Sequence, residues 1–151
     1  MEIKVGDPML SESDHGPLVD KIQFDKVLSF IDHGKKNGAI CEMGGHTIGS
    51  EGFFVSPTLF SQVTDDMKIA REEIFGPVVC ALKFKSVDEV IARANDTSYG
   101  LAAAIHTKDL KLATKVSREL AAGTVWVNCY NVFMNQMPFG GYKVLLVYLT
   151  S

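Results

Sequence analysis

Helix-period segments alternate with short β-forming runs from residue 20 to residue 130, and this alternation restricts the chain to architectures built from βα units. Asp20 can cap a first helix, and Gln23 three residues on completes a capping-box pattern. Phe24, Val27, Leu28 and Ile31 then fall at i, i+3, i+4 and i+7, one stripe of a 3.6-residue period. Lys35 and Lys36 suit the negative end of the helix dipole, and Asn37-Gly38 is a natural stop. Ser86 with Glu89 repeats the capping signature ahead of Val87, Val90, Ile91 and Ala94. Asp109 can cap a further helix, with Leu110, Ala113, Val116 and Leu120 on one face and Gly123 at its end.

Between these helices lie the β candidates. Residues 39–43 form a short apolar piece before Gly44-Gly45. Residues 53–60 are aromatic and β-branched with Pro57 inside, which predicts an extended edge segment. Thr64-Asp65-Asp66 can start a short helix through Arg71, and Gly76-Pro77 breaks the chain. Residues 78–84 are a near-continuous apolar run, the pattern of a strand buried on both faces. Residues 101–106 read as a buried strand and residues 124–130 as a strand rich in β-formers. The first 19 residues, punctuated by Gly6-Asp7-Pro8 and Gly16-Pro17, read as irregular. The predicted class is α/β, a mostly parallel sheet flanked by helices.

Composition narrows the function classes. The 151 residues suit one domain, and 46% apolar with 22% charged residues is ordinary for a globular chain. A net charge of −3 argues against nucleic acid or an anionic membrane as partner, since both demand a basic face. No run approaches the ~18–20 apolar residues of a membrane helix, and residues 1–6 lack the apolar core of a signal peptide. Cys41, Cys80 and Cys129 are too few and too spread for a disulfide framework, which points to a reducing, cytoplasmic setting. His15, His33, His46 and His106 show no ligand spacing, so no metal site is expected. There is neither a glycine-rich dinucleotide fingerprint nor a P-loop. Cys129 has no thiolate-stabilising neighbour in sequence and reads as a small buried residue.

Glu72-Glu73-Ile74-Phe75-Gly76-Pro77 is the informative stretch. A carboxylate can accept two hydrogen bonds from a vicinal diol such as a ribose, and an aromatic two residues on can pack against a planar ring. The same residues also read as a solvated helix end with a Lys68–Glu72 ion pair, and spacing alone favours that reading.

Five blocks in order change the balance: G-F-F-V-S-P-T at 52–58, E-E-I-F-G-P at 72–77, Y-G-L-A-A at 99–103, G-T-V-W-V-N at 123–128 and P-F-G-G-Y-K at 138–143. Together they resemble the aldehyde dehydrogenase superfamily over nearly the whole chain up to Lys143. The resemblance implies NAD- or NADP-dependent oxidation of an aldehyde to a carboxylic acid, with a cysteine nucleophile and a glutamate-activated water. Glu73 matches the glutamate that holds the nicotinamide ribose, and Phe75 the aromatic bordering the nicotinamide half. Gln23 and Lys26 match helix residues approaching the same ribose. Phe133 and Phe139 match aromatics lining the aldehyde tunnel, with Asn131, Met134 and Met137 nearby. Their competing readings are a wet helix flank and ordinary core packing.

The resemblance also carries departures. Residues 1–143 correspond to the later part of the family's catalytic domain, a partial domain. The nucleophilic cysteine, the glutamate base, the oxyanion-stabilising asparagine and the dinucleotide-binding domain fall upstream of Met1, and none of the three cysteines matches the nucleophile. No catalytic residue is assigned, and the expectation is a chain without independent turnover or tight cofactor binding. Residues 144–151 form an atypical, apolar, β-prone tail, the kind of sequence a truncated or mis-spliced frame produces. Low solubility or dependence on a partner follows, and a fragment docking on intact dehydrogenase subunits is the alternative function. An unrelated α/β binding module fits the five blocks poorly. A targeting peptide, if a longer parent carries one, would lie upstream of Met1, and a mitochondrial location would go with that parent.

Overall fold

A computed structural model describes residues 3–144. The chain divides into two compact units, Met1–Lys83 and Phe84–Ser151. Residues 145–151, most of the predicted tail, lie outside the described residues.

The first unit is built on α1 (Lys21–Lys36). Asp20 caps it as predicted, its carboxylate accepting from the Gln23 backbone N–H at 2.8 Å. The capping box does not close, because the Gln23 side chain is engaged elsewhere, as described below. Val27, Phe30, Ile31 and Gly34 are the buried residues of the helix, with Phe24 and Leu28 packed against the core. They meet a three-stranded sheet of β1 (Ile40–Met43), β2 (Thr58–Ser61) and β3 (Val78–Cys80). β1 pairs antiparallel with β2, and β2 parallel with β3. The segment predicted as an edge therefore supplies the central strand. Pro57 misleads because it lies just before the ladder, which starts at Thr58, so no sheet hydrogen bond is lost. The short α2 (Lys68–Arg71) starts after Met67, not at Thr64, and its cap makes no side-chain hydrogen bond.

β3 is not buried on both faces as expected: Val79 is 61% exposed. The strand keeps only three residues in the ladder, so most of the apolar run 78–84 lies outside it.

The second unit contains α3 (Val87–Asn95), β4 (Ala102–Ile105), α4 (Leu110–Glu119) and β5 (Thr124–Val127). β4 and β5 pair in parallel from Ala102↔Thr124 to Ile105↔Val127, with α4 as the crossover between them. β4 alternates exposed and half-buried residues instead of being wholly buried; its alanines are too small to show which face is covered. Asp109 caps α4 by accepting from the Lys111 and Leu112 N–H groups. Ala113 and Val116 are buried, whereas Leu110, expected on the same face, is exposed at the first turn. Among the described residues no helix is long and apolar enough to cross a membrane, and no cluster of three or more metal-ligating side chains occurs.

The cap of α3 is expected to make this unit's stability depend on pH. Ser86 Oγ accepts from the Glu89 N–H, and Glu89 Oε2 accepts from the Lys85 N–H at 2.8 Å. That backbone bond, helped by the Arg93 guanidinium, holds the Glu89 carboxyl below the usual glutamate range. A depressed folded-state value means the stabilisation is full above the unfolded value of about 4.3 and is lost as pH falls through the folded one. The melting midpoint of this unit, followed by Trp126 fluorescence, is expected to fall on acidification, and Glu89→Gln should reduce that slope. An identical slope in the variant counts against the capping role.

Candidate functional site

The predicted cofactor residues all belong to the first unit. Gln23 and Lys26 stand one turn apart on α1, and Glu73 and Phe75 on the loop after α2. A side chain ties the helix to the loop: Gln23 Nε2 donates to the carbonyl of Ile74 at 2.9 Å and of Phe75 at 2.8 Å. Ile74 is buried and anchors the loop to the core. Gly76 then lies so close to α1 that an added Cβ would come within 2.5 Å of Val27 Cγ2.

Between these two anchors Phe75 adopts φ +54°, the left-handed region, and its ring is 72% exposed. That backbone state costs roughly 1–2 kcal/mol for a residue with a Cβ. Two amide-to-carbonyl hydrogen bonds contribute about 0.5–1.5 kcal/mol each, enough to offset it. The arrangement thus spends hydrogen bonding to turn a large ring outward. Glu73 is exposed beside it, as is Lys26, whose ammonium lies 5.9 Å from the Phe30 ring centroid. An exposed carboxylate, an outward ring and an ammonium on one loop-and-helix junction suit a polyhydroxylated, partly planar ligand.

Phe133, Phe139 and Asn131 belong to the second unit. Trp126 is the buried centre of an aromatic chain: its centroid lies 5.3 Å from Tyr130 and 5.4 Å from Phe133, and Phe133 lies 5.5 Å from Phe139, all edge-on. Each such pair adds about 0.5–1.5 kcal/mol beyond burial. Trp126 Nε1 also donates to the Val132 carbonyl at 2.8 Å, which fixes the loop before Phe133. Phe133 and Phe139 nevertheless remain 57% and 43% exposed. Asn131 is exposed at φ +60°, a conformation asparagine tolerates well. Asn128, also at positive φ, closes the β5 end by accepting from Thr107 N and donating to Thr107 O.

The neck of this loop is tight. Gly123 N and Tyr142 N both donate to the Gly100 carbonyl, at 3.0 and 3.1 Å. A Cβ on Gly123 would fall 1.5 Å from the Gly140 carbonyl oxygen, so only glycine fits. Lys143 Nζ donates to the carbonyls of Asn95 and Thr97 and holds the chain beyond the neck.

The three cysteines are all free. Burial pushes the Cys80 thiol up, the reverse of what a nucleophile needs, and its Sγ points to the Ile69 carbonyl.

Residues 1–144 match the model of the aldehyde dehydrogenase family. The chain belongs to that family. It is 57% identical over 140 residues to aldehyde dehydrogenase 1A1 of Gallus gallus, covering 93% of this chain and 28% of that relative. It is 54% identical over 143 residues to an aldehyde dehydrogenase of Aspergillus niger, covering 95% and 29%. Its fold superimposes on an aldehyde dehydrogenase from Bacillus cereus, solved as an NAD+ complex, with a TM-score of 0.91 and 52% identity over 93% of this chain and 29% of that one. The chain therefore spans less than a third of the length of these relatives. The α/β class read from the sequence agrees with these structural neighbours. Two features escaped sequence reasoning: the reach of Gln23 to a loop some fifty residues away, and the close approach of Gly123 to Gly140. A Gly-Pro step after Phe75 and the paired glycines at 140–141 were their faint signals.

Proposed function

We propose that this chain supplies part of the cofactor and substrate surfaces of an NAD(P)-dependent aldehyde dehydrogenase. The observation that carries the reading is Phe75, held in a strained conformation with its ring outward while Gln23 occupies the carbonyls behind it. The residues fit the cofactor by their chemistry: the exposed Glu73 carboxylate accepts hydrogen bonds from the nicotinamide ribose hydroxyls, and Phe75 packs against the planar half. Lys26 lies on the same helix flank. Bound NAD(P) supplies the hydride acceptor. In the second unit Phe133, Phe139 and Asn131 line the approach of an aldehyde. Apolar rings suit an aliphatic or aromatic aldehyde better than an anionic one. A relative from Pseudomonas syringae, 44% identical with a TM-score of 0.89, was solved with NAD+ and octanal, which agrees with that preference.

No residue of this chain is assigned the nucleophile's role, and Cys80 is chemically unsuited to it. The purified chain, mixed with NAD and a simple aldehyde, is expected to give no sustained rise in NADH absorbance. Steady turnover without added protein would falsify the partial-site reading. The cytoplasmic setting inferred from cysteine usage is proposed with it.

A second reading is favoured by β3, whose Val79 is exposed and whose far edge carries no strand among the described residues. There the chain docks on dehydrogenase subunits without catalysing anything itself. Enrichment of a full-length dehydrogenase on the immobilised chain supports it; recovery equal to that on a blank matrix removes it.

A further inference from the structure

We infer that Gln23 is a positioning residue that sets the direction of Phe75 and does not donate to the ribose itself. The inference rests on the cofactor reading above and departs from the expectation, drawn from the sequence, that Gln23 approaches the ribose. A glutamine amide has two N–H donors, and both face backbone carbonyls, Ile74 O and Phe75 O. Carbonyls only accept, so the amide must present its nitrogen to them, and its opposite orientation is excluded. Only Oε1 is left for any ligand.

The geometry behind this is a two-point lock. Gln23 and Val27 are four residues apart and share a face of α1. Gln23 pulls the carbonyls of residues 74 and 75 toward that face, and Val27 abuts Gly76 immediately after. With the chain pinned on both sides at a left-handed φ, the Phe75 side chain has solvent as its direction. Without the amide, Phe75 is free to relax to an ordinary φ and carry its ring elsewhere.

Chymotryptic cleavage after Phe75, followed by mass spectrometry on the folded chain, tests this. Phe30, buried on α1, reports global opening of the same unit, and Phe84, exposed in the other unit, reports protease activity. Gln23→Ala is expected to speed the cut after Phe75 about tenfold, the factor for a loop that loses one to two hydrogen bonds, with the cuts after Phe30 and Phe84 unchanged. Gln23→Glu adds a signature that a generic packing role lacks. Its ionised carboxylate repels both carbonyls, while the protonated acid can still donate once. The Phe75 cut, normalised to Phe84, should therefore be slow in acid and fast at neutral pH. Equal rates in wild type and Gln23→Ala, or parallel acceleration at Phe30, overturn the inference.

Saturation-transfer NMR with excess NAD separates this from the cofactor reading. Transfer to the nicotinamide protons in wild type, lost in Gln23→Ala while ribose transfer persists, supports both. No transfer in wild type removes the cofactor reading and leaves the loop lock to be decided by cleavage.

Discussion

Gly123→Ala is expected to destabilise the second unit by about 3 kcal/mol or more, at the upper end for overpacking. The new methyl would lie 1.5 Å from the Gly140 carbonyl oxygen and 2.6 Å from its carbon. Neither side can yield easily, because the Gly123 N–H is already bonded to Gly100 O and the obstacle is backbone. Since a domain's whole stability is typically ~5–15 kcal/mol, this is a large fraction. Trp126, the one tryptophan, reports it: its emission should shift to the red and its thermal transition should move down by roughly 12–24 °C or disappear. Phe139, one residue before the displaced glycine, would lose its fixed place beside Phe133, so the two rings proposed to line the aldehyde approach fail together with the fold. A variant that melts like wild type would show that residues 123 and 140 do not meet in solution.

Phe60→Ala is expected to cost about 3–5 kcal/mol in the first unit, the range for deleting a buried aromatic. Phe60 is 0% exposed on the central strand β2. Its ring closes on α1 at Gly34, where an added Cβ would lie 3.2 Å from Phe60 Cζ. Glycine has no side chain to move into the cavity, so the loss is only slightly relieved. Hydrogen exchange over α1 reads the effect, because tryptophan fluorescence reports only the other unit. Amide protection there should fall by two orders of magnitude or more, in line with that free energy. Unchanged protection would mean that β2 does not carry the core of this unit.

Local signals were the most legible part of the sequence. Asp20, Ser86 and Asp109 each cap a helix as their spacing predicts, since capping is decided within four residues. Sidedness was not legible. Val79, Ala102 and Ala104 are exposed because short strands of small or β-branched residues look the same whether one face or two are covered. β2 was misplaced at an edge because a proline adjoining a ladder resembles a proline within it. At the site, Glu73 and Phe75 stood out only as parts of an ordered set of blocks; their own spacing fits a wet helix end equally well. The partner of the Gln23 amide was invisible, because a hydrogen bond between positions 23 and 74 leaves no local pattern.

One oxygen, that of Gly100, receives the chain on both sides of the segment carrying Trp126, Phe133 and Phe139. A stretch cinched at its base can change length and content along its rim at small entropic cost, since closure depends only weakly on the number of residues enclosed. If the proposed aldehyde approach is made by this segment, its selectivity is open to revision between residues 129 and 138, like an interchangeable nozzle on a fixed collar, while the strands and helices of the unit keep their sequence.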